Sequence, residues 1–258
     1  TKENKIKIKY GENPNQKAYL INKNKKNIFN AKICGKELGY NNILDVNDGL
    51  NCLSEFNEPT CVIVKHNNPC GVGSAKNINK AYIKALESDP ISAYGGIVLL
   101  NKKVNHSLAG ILKRKFFEII VAPSFERKSL EVLQSKKNLI IIDSSKLKKH
   151  PLISFRSLRD GVLYQETNKF KVTKNTIKLV TDKKSSEKTT DDLIFAYKVA
   201  KHVKSNAVVF VKNKQTIGIG AGQMSRVDST RVAIMKYKDF FKGRAFVCAS
   251  DAFFPFTD

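Results

Sequence analysis

No stretch of the 258 residues approaches the roughly 20 consecutive apolar residues that a membrane-spanning helix needs, so no membrane partner is expected. The opening TKENKIKIKY carries charge but no apolar signal-peptide core, which does not indicate export and fits a cytoplasmic location. Cysteine is scarce: five residues (34, 52, 61, 70 and 248), odd in number and scattered, with no CxxC pair. That excludes a framework of disulfides and suits reduced thiols. Arginine is scarcer than the charge suggests, at seven of 46 basic residues, so the net charge of +23 is almost entirely lysine. A pI near 9.8 is taken alone a nucleic-acid signal. Here the lysines are spread over the whole length alongside abundant asparagine, the pattern of an AT-biased coding sequence. With no RNP aromatic box, basic zipper or zinc finger, no nucleic-acid partner is expected. The overall field still favours small anionic substrates.

What is present is a globular core, with 41% hydrophobic residues. CVIVKHNNPCG (61–71) begins with four continuous apolar residues, as a strand buried on both faces does. Asn67, Asn68, Pro69 and Gly71 supply turn chemistry that ends it. SAKNINKAYIKALESDP has apolar residues at helical spacing, and GIVLL (96–100), EIIVA (118–122) and NLIIID (138–143) are further buried-strand candidates. VNHSLAGILKRKFF and FERKSLEVLQSK between them are helical. Alternating strands and amphipathic helices argue for a mostly parallel, layered α/β unit. Residues 151–190 are polar and weakly periodic, an irregular connection carrying one or two strands such as GVLYQ. Then order returns: a helix in TTDDLIFAYKVAKHVKS, strands in NAVVFV (206–211) and TIGIGAG (216–222), a helix in SRVDSTRVAIMKYKDFF and a strand in AFVCAS (245–250). Both halves share the order helix, strand, polar turn, strand, helix.

Lys65 and His66 arrive together at the carboxyl end of a buried strand, where ligands bind in open α/β sheets. The alternative is a solvated strand-end lysine and a hydrogen-bonded loop histidine. KYGENPNQ (9–16) is a turn too polar for a core. GIGAGQMSR (218–226) sets glycines before a helix opening at Ser225–Arg226, which suits a phosphate or carboxylate, or equally a tight strand-to-helix turn. It lacks the dinucleotide spacing. SDAFFPF (250–256) places three phenylalanines at a strand end, for packing or as a flat wall for a heterocycle. His106, His150 and His202 have no carboxylate at metal spacing and are expected to be solvated. Pro69–Cys70 matches half of a zinc-deaminase signature, but no second cysteine follows at the required distance, so no catalytic metal is expected.

Taken together, YGENP.Q, GKELGYNNILD, VIVKHNNPCG, SAYGGI, IIVAPSF, KSNAVV, IGIGAGQMSR and SDAFFPF resemble one family: the AICAR transformylase domain of the bifunctional purine-biosynthesis protein, which also carries IMP cyclohydrolase. The blocks occur in the family's order from residue 8 to the last residue. The resemblance implies two cytidine-deaminase-like α/β subdomains without the deaminase zinc, at 1–150 and 191–258, joined by the connection at 151–190. It implies a homodimer with active sites at the subunit interface. The implied reaction is formyl transfer from 10-formyltetrahydrofolate to the 5-amino group of AICAR, giving FAICAR and tetrahydrofolate.

By the same resemblance His66 matches the proton-transfer histidine and Lys65 the transition-state lysine. Lys9, Tyr10, Gly95, Glu118, Asn206, Arg226 and Phe253 match positions that contact the AICAR nucleotide, and Val227 and Asp258 match folate-contacting positions. The family's arginine in the first motif is Lys9 here, and its histidine is Asn15. Family members continue for several dozen residues past FFPFTD and are normally preceded by the cyclohydrolase domain. A C-terminally incomplete second subdomain without that domain is therefore the expectation. A monovalent cation near Asp251 is left open. The rival readings are a truncated AICAR- and folate-binding module without turnover, and a basic nucleic-acid binder.

Overall fold

The computed structural model describes residues 5–21, 27–147, 153–241 and 245–253. Asp258 and His150 lie outside them. The chain begins with strands β1 (Lys5–Ile8) and β2 (Ala18–Ile21), which form a small antiparallel sheet, then helix α1 (Ile28–Ala31), β3 (Lys32–Cys34) and α2 (Tyr40–Leu53). The expected strand at 61–64 is β4 (Thr60–Lys65), followed by β5 (Asn68–Ser74) and α3 (Ile78–Ser88). Next come β6 (Ile97–Leu100), α4 (His106–Lys113), β7 (Ile119–Ala122), α5 (Arg127–Gln134) and β8 (Ile140–Asp143). An exposed hairpin, β9 (Ile153–Ser157) and β10 (Val162–Glu166), occupies the connection. The second half is α6 (Glu187–Ala200), β11 (Val208–Lys212), β12 (Gln215–Gly220), α7 (Arg226–Phe241) and β13 (Val247–Ser250).

Nine strands form one sheet in the order β13-β11-β12-β5-β4-β6-β7-β8-β3. It is mixed rather than mostly parallel: only the β6–β7 and β7–β8 pairs are parallel. The reason lies at the turn. His66 and Asn67 both have positive φ (53° and 60°), the two-residue geometry that folds a strand straight back into a hairpin. Asn68 and Pro69 therefore do not end a strand; they start β5, opposite Lys65 and Val64. Proline is tolerated because the register shifts here, and a bulge needs no regular ladder of N–H groups.

Alternate residues of the buried strands feed two cores, one on each face. Val62, Val64, Ile97, Leu99, Ile119 and Val209 pack with residues of α2 and α6. Cys61, Ile63, Val98, Leu100 and Ile120 pack with α3 and α4 on the other face. The first cluster extends from α2 to Ala249 of β13 and so crosses both halves. Burying whole side chains this way stabilises by roughly 1.5–3 kcal/mol each before conformational entropy is subtracted.

The two halves repeat one unit: α2–β4–β5–α3 and α6–β11–β12–α7. Asn213 and Lys214 turn the second hairpin, again with two positive φ values (53° and 54°). A Cβ on Gly71 would lie 2.0 Å from Ala85 O of α3, and one on Gly218 would lie 2.4 Å from Ala233 O of α7. Gly218 therefore serves close helix-on-strand packing inside β12, not the turn that precedes α7. The units meet where β12 runs antiparallel to β5, with Gln215 opposite Gly73 and Ser74 N–H donating to Lys214 O at 2.9 Å. Buried Thr216 Oγ1 accepts from Val72 N at 2.9 Å and donates to Ser88 Oγ at 2.9 Å. Thr216→Val keeps the shape but strands that buried N–H. The expected loss is about 1–3 kcal/mol, measured as a lower urea midpoint at unchanged slope. An unshifted midpoint would show that the seam carries no such dependence.

Candidate functional site

Strand register sets which residues share an edge. Lys65 lies opposite Asn68, Val64 opposite Ile97, and Ile97 beside Ile119. Gly220 and Ser250 both lie opposite Val208. Because β12 is antiparallel to β5, its Gly220 end points toward the Asn68 end of β5. The positions Lys65–His66, Gly95, Glu118, Asn206 and Ser250–Asp251 therefore share one edge. Lys204 N–H donates to Asn68 Oδ1 at 2.9 Å and confirms the junction. The edge is not simply one of carboxyl ends: β4, β12 and β13 end there, whereas β6, β7 and β11 begin there.

At its centre a cleft of about 420 Å³ is lined by Lys65, His66, Asp89, Ser92, Ile219 and Lys236, among others. His66 is exposed, while Lys65 is half-buried and donates to Tyr94 O at 2.7 Å. An ammonium has three hydrogens, so two remain for a ligand. Across the cleft, Asp89 is 7% exposed and pairs with Lys236 Nζ at 2.7 Å. Ser92 donates to the same carboxylate at 2.6 Å. Beneath the turn, Asp45 of α2 accepts from Asn67 N at 2.7 Å, and Asp48 accepts from Asn67 Nδ2 at 3.1 Å. Burial pushes the Asp45 carboxyl above its ordinary range, opposed by Asn67 N–H and the charge of His66. A larger cleft of about 700 Å³ lies at the opposite edge, beside Ser74, Lys84 and Lys214. It holds no histidine, and Glu58, its one carboxylate, pairs with Lys214 at 3.1 Å. The smaller cleft carries the acid–base groups.

Next along the edge, Gly95 (φ 71°) donates its N–H to Phe116 O at 2.9 Å, and Glu118 N–H donates to Gly96 O at 3.1 Å. Glu118 Oε2 accepts from Asn42 Nδ2 at 2.9 Å and pairs with Lys36 at 3.3 Å. Lys9 and Tyr10 sit in the loop between β1 and β2, Lys9 Nζ lying 5.9 Å from the Tyr10 ring centroid. Asn41 Nδ2 draws that loop toward the N-terminus of α2 by donating to Glu12 O at 3.4 Å.

In the second half, Arg226 opens α7 and binds three partners: Asn206 Oδ1 (2.9 Å), Ser250 Oγ (2.5 Å) and Asp251 Oδ1 (2.6 Å). Asn206 Nδ2 donates to Gln223 O and Met224 O, which ties the α7 entry to the start of β11. Burial opposes the Asp251 charge, yet hydrogen bonds from Ser205, Arg226 and Ala207 N hold its carboxyl at about 2. The Arg226 guanidinium meets that charge at 2.6 Å. Val227 and Phe253 are exposed, Phe253 at 78%. The other two phenylalanines of SDAFFPF lie outside the described residues.

His106 is exposed as expected, but His202 is not solvated. It is 15% exposed, its Nε2 lies 3.1 Å from Glu55 Oε1, and Lys201 Nζ reaches the same oxygen at 2.7 Å. The partner lies 147 residues away, out of reach of any local spacing rule. Sequence reasoning also missed Asp45, Asp48, Asp89 and Lys236. Asp45 and Asp48 stand three apart on α2, which puts them on one helix face, the one local signal available. Among the described residues no group of three or more His, Cys, Asp or Glu could hold a metal ion, and no helix is long and apolar enough to cross a membrane.

The AICARFT/IMPCHase bienzyme family model matches residues 1–236, and the chain belongs to that family. The bifunctional purine biosynthesis protein PurH of Caldicellulosiruptor bescii is 48% identical over 258 residues, 97% of this chain and 50% of the relative. The PurH of Caldicellulosiruptor saccharolyticus is 47% identical over 98% of this chain, and that of Anoxybacillus flavithermus 45% over 98%, each across 50% of the relative. The chain thus spans about half the length of the curated relatives it matches.

The Asp251 carboxyl, held low in the folded state, stabilises the fold above its unfolded value near ~3.9, and that contribution is lost as pH falls through about 2. Wild type is expected to exceed Asp251→Asn in unfolding free energy at pH 7, with the gap closing between about pH 4 and pH 2. A gap constant over that interval would show that Asp251 is not held by charge.

Proposed function

We propose that the chain acts in purine biosynthesis as a formyltransferase, moving the formyl group of 10-formyltetrahydrofolate to the 5-amino group of AICAR. The observation that carries this reading is the common edge: an imidazole and an ammonium in a cleft, flanked on one side by Gly95 and Glu118 and on the other by the Asn206–Arg226 cluster. The names of the PurH relatives support it, as does the family match. The two repeated halves fit a pair of cytidine-deaminase-like subdomains without zinc.

The chemistry follows from the weak nucleophile. The AICAR amine is conjugated with its imidazole ring, so its proton must leave as the new N–C bond forms. Imidazole is the side chain whose ordinary proton affinity lies nearest neutral pH, and His66 takes that proton. As the formyl carbon becomes tetrahedral its oxygen gains negative charge, which the Lys65 ammonium stabilises; the folate nitrogen then departs with a proton from that ammonium, which the His66 imidazolium restores. Arg226 with Asn206, and Lys9 with Tyr10, hold the nucleotide; Gly95, Glu118 and Phe253 border it. Lys9 grips phosphate as a point charge, without the two-pronged bonding of arginine. Val227 borders the folate, and Asp258 matches a second folate-contacting position of the family by sequence. Holding both substrates in register supplies much of the rate. Exposed Ile91, Tyr94 and Phe116 lie beside Lys65 and Gly95, and a second copy of the chain covering them would shield the site from water.

His66→Ala is expected to abolish tetrahydrofolate formation, followed by absorbance, while AICAR still binds by calorimetry. Lys65→Ala should lower kcat by about 100-fold or more, as loss of an oxyanion partner does. Near-normal turnover in His66→Ala would reject the assignment. AICAR binding with no turnover by wild type would favour the binding-module reading.

A further inference from the structure

The repeated halves offer a comparison inside one molecule. Each hairpin is closed by two consecutive non-glycine residues of positive φ, and each turn is held from beneath by an aspartate of the helix that precedes the hairpin. Asp192 of α6 accepts from Asn213 N and Lys214 N, both at 2.8 Å. Asp45 of α2 accepts from Asn67 N at 2.7 Å and also from the His66 backbone. Left-handed backbone at a bulky residue persists only where its surroundings over-determine it, and the two aspartates supply that support. The halves differ in what the turn presents. The second carries asparagine and lysine; the first carries a histidine that lines a cleft.

There Asp45 sits under the histidine turn, and the charge of a protonated imidazole opposes the burial that raises its carboxyl. The other charged groups around the turn are Asp48 on α2, paired with Lys204 at 3.6 Å, and Lys65 on β4. Asp89 and Lys236 pair with each other on the far side of the cleft. Asp48 holds the Asn67 side chain, whereas Asp45 holds the backbone of the turn.

We propose that Asp45 is a positioning residue for His66: its carboxylate fixes the left-handed turn that sets the imidazole in the cleft, and its charge stabilises the imidazolium formed during transfer. The proposal rests on His66 being the proton acceptor. The proton passes from the amine nitrogen to the imidazole as the N–C bond forms, and Asp45 takes up none. A carboxylate that orients and charge-stabilises an imidazole is a recurring arrangement in acid–base catalysis.

The test compares two matched variants on the full chain. Asp45→Asn keeps shape and one oxygen acceptor but removes the charge; Asp192→Asn does the same at the turn without histidine. Formyl transfer is measured against pH and melting temperature in parallel. Asp45→Asn is expected to lower kcat about 10-fold or more, with the KM for AICAR within about twofold. It should also move the acid limb of the kcat profile to lower pH, because loss of the negative charge favours neutral imidazole. Asp192→Asn is expected to lower the melting temperature and leave the acid limb in place. If Asp45→Asn does only the same, Asp45 is a turn brace and the proposal is overturned. Should Asp45→Asn not fold, Asp45→Glu keeps the charge but displaces it: a fall in kcat with an unmoved acid limb supports the proposal, and wild-type kcat overturns it. Turnover surviving in His66→Ala would instead remove the reading on which the proposal stands.

Discussion

Where β12 runs antiparallel to β5, Ser74 N–H reaches Lys214 O and buried Thr216 joins Val72 to Ser88, so the strands of two repeated units become one sheet. Everything at the candidate site follows from that seam. Lys65 and His66 belong to the first unit, and Asn206, Arg226 and Asp251 to the second. Had the units packed through their helices alone, no strand register would relate the two sets. With the seam formed, a run of backbone hydrogen bonds sets them along one edge.

The edge also separates two kinds of electrostatic work. Along the second unit the charges are satisfied within the protein: Arg226 is held by Asn206, Ser250 and Asp251, a rigid fork at the head of α7. Preorganised donors of this kind need no rearrangement when an anion arrives. At the cleft the groups are less committed. His66 is exposed and Lys65 has donors to spare, as suits groups that must change partners during a reaction. The opposite edge has a larger cleft and more lysines, but two of these are committed: Lys84 Nζ donates to Ser74 O and Asn213 O, and Lys214 pairs with Glu58.

Much of this was legible in the sequence. The continuous runs CVIV, IVLL, IIVA and IIID are strands buried on both faces, and the amphipathic stretches between them are the helices expected. The impression of two similar modules matches the repeated helix–hairpin–helix unit. What failed was strand direction. Asn67–Asn68–Pro69 looks like a terminator because asparagine and proline favour turns, yet only His66 and Asn67 form the turn, and Asn68–Ser74 pairs back onto β4. The strand expected in TIGIGAG is β12, and its Gly218 is needed there for close approach of α7. His202 looked solvated because its carboxylate comes from the other half of the chain. Asp45 escaped notice because its one local signal, the spacing to Asp48, is common on solvated helix faces; only the turn above it gives it meaning.

The central claim is that one ligand touches both units along one sheet edge. The direct measurement is amide chemical-shift mapping of the isotopically labelled chain as AICAR is added. The expected result is that the Lys65–Asn68 turn, Gly95–Gly96 and the Asn206 and Arg226 amides shift together with one saturation curve. Shifts confined to a single unit, or gathered around Ser74, Lys84 and Lys214 at the far edge, would contradict it.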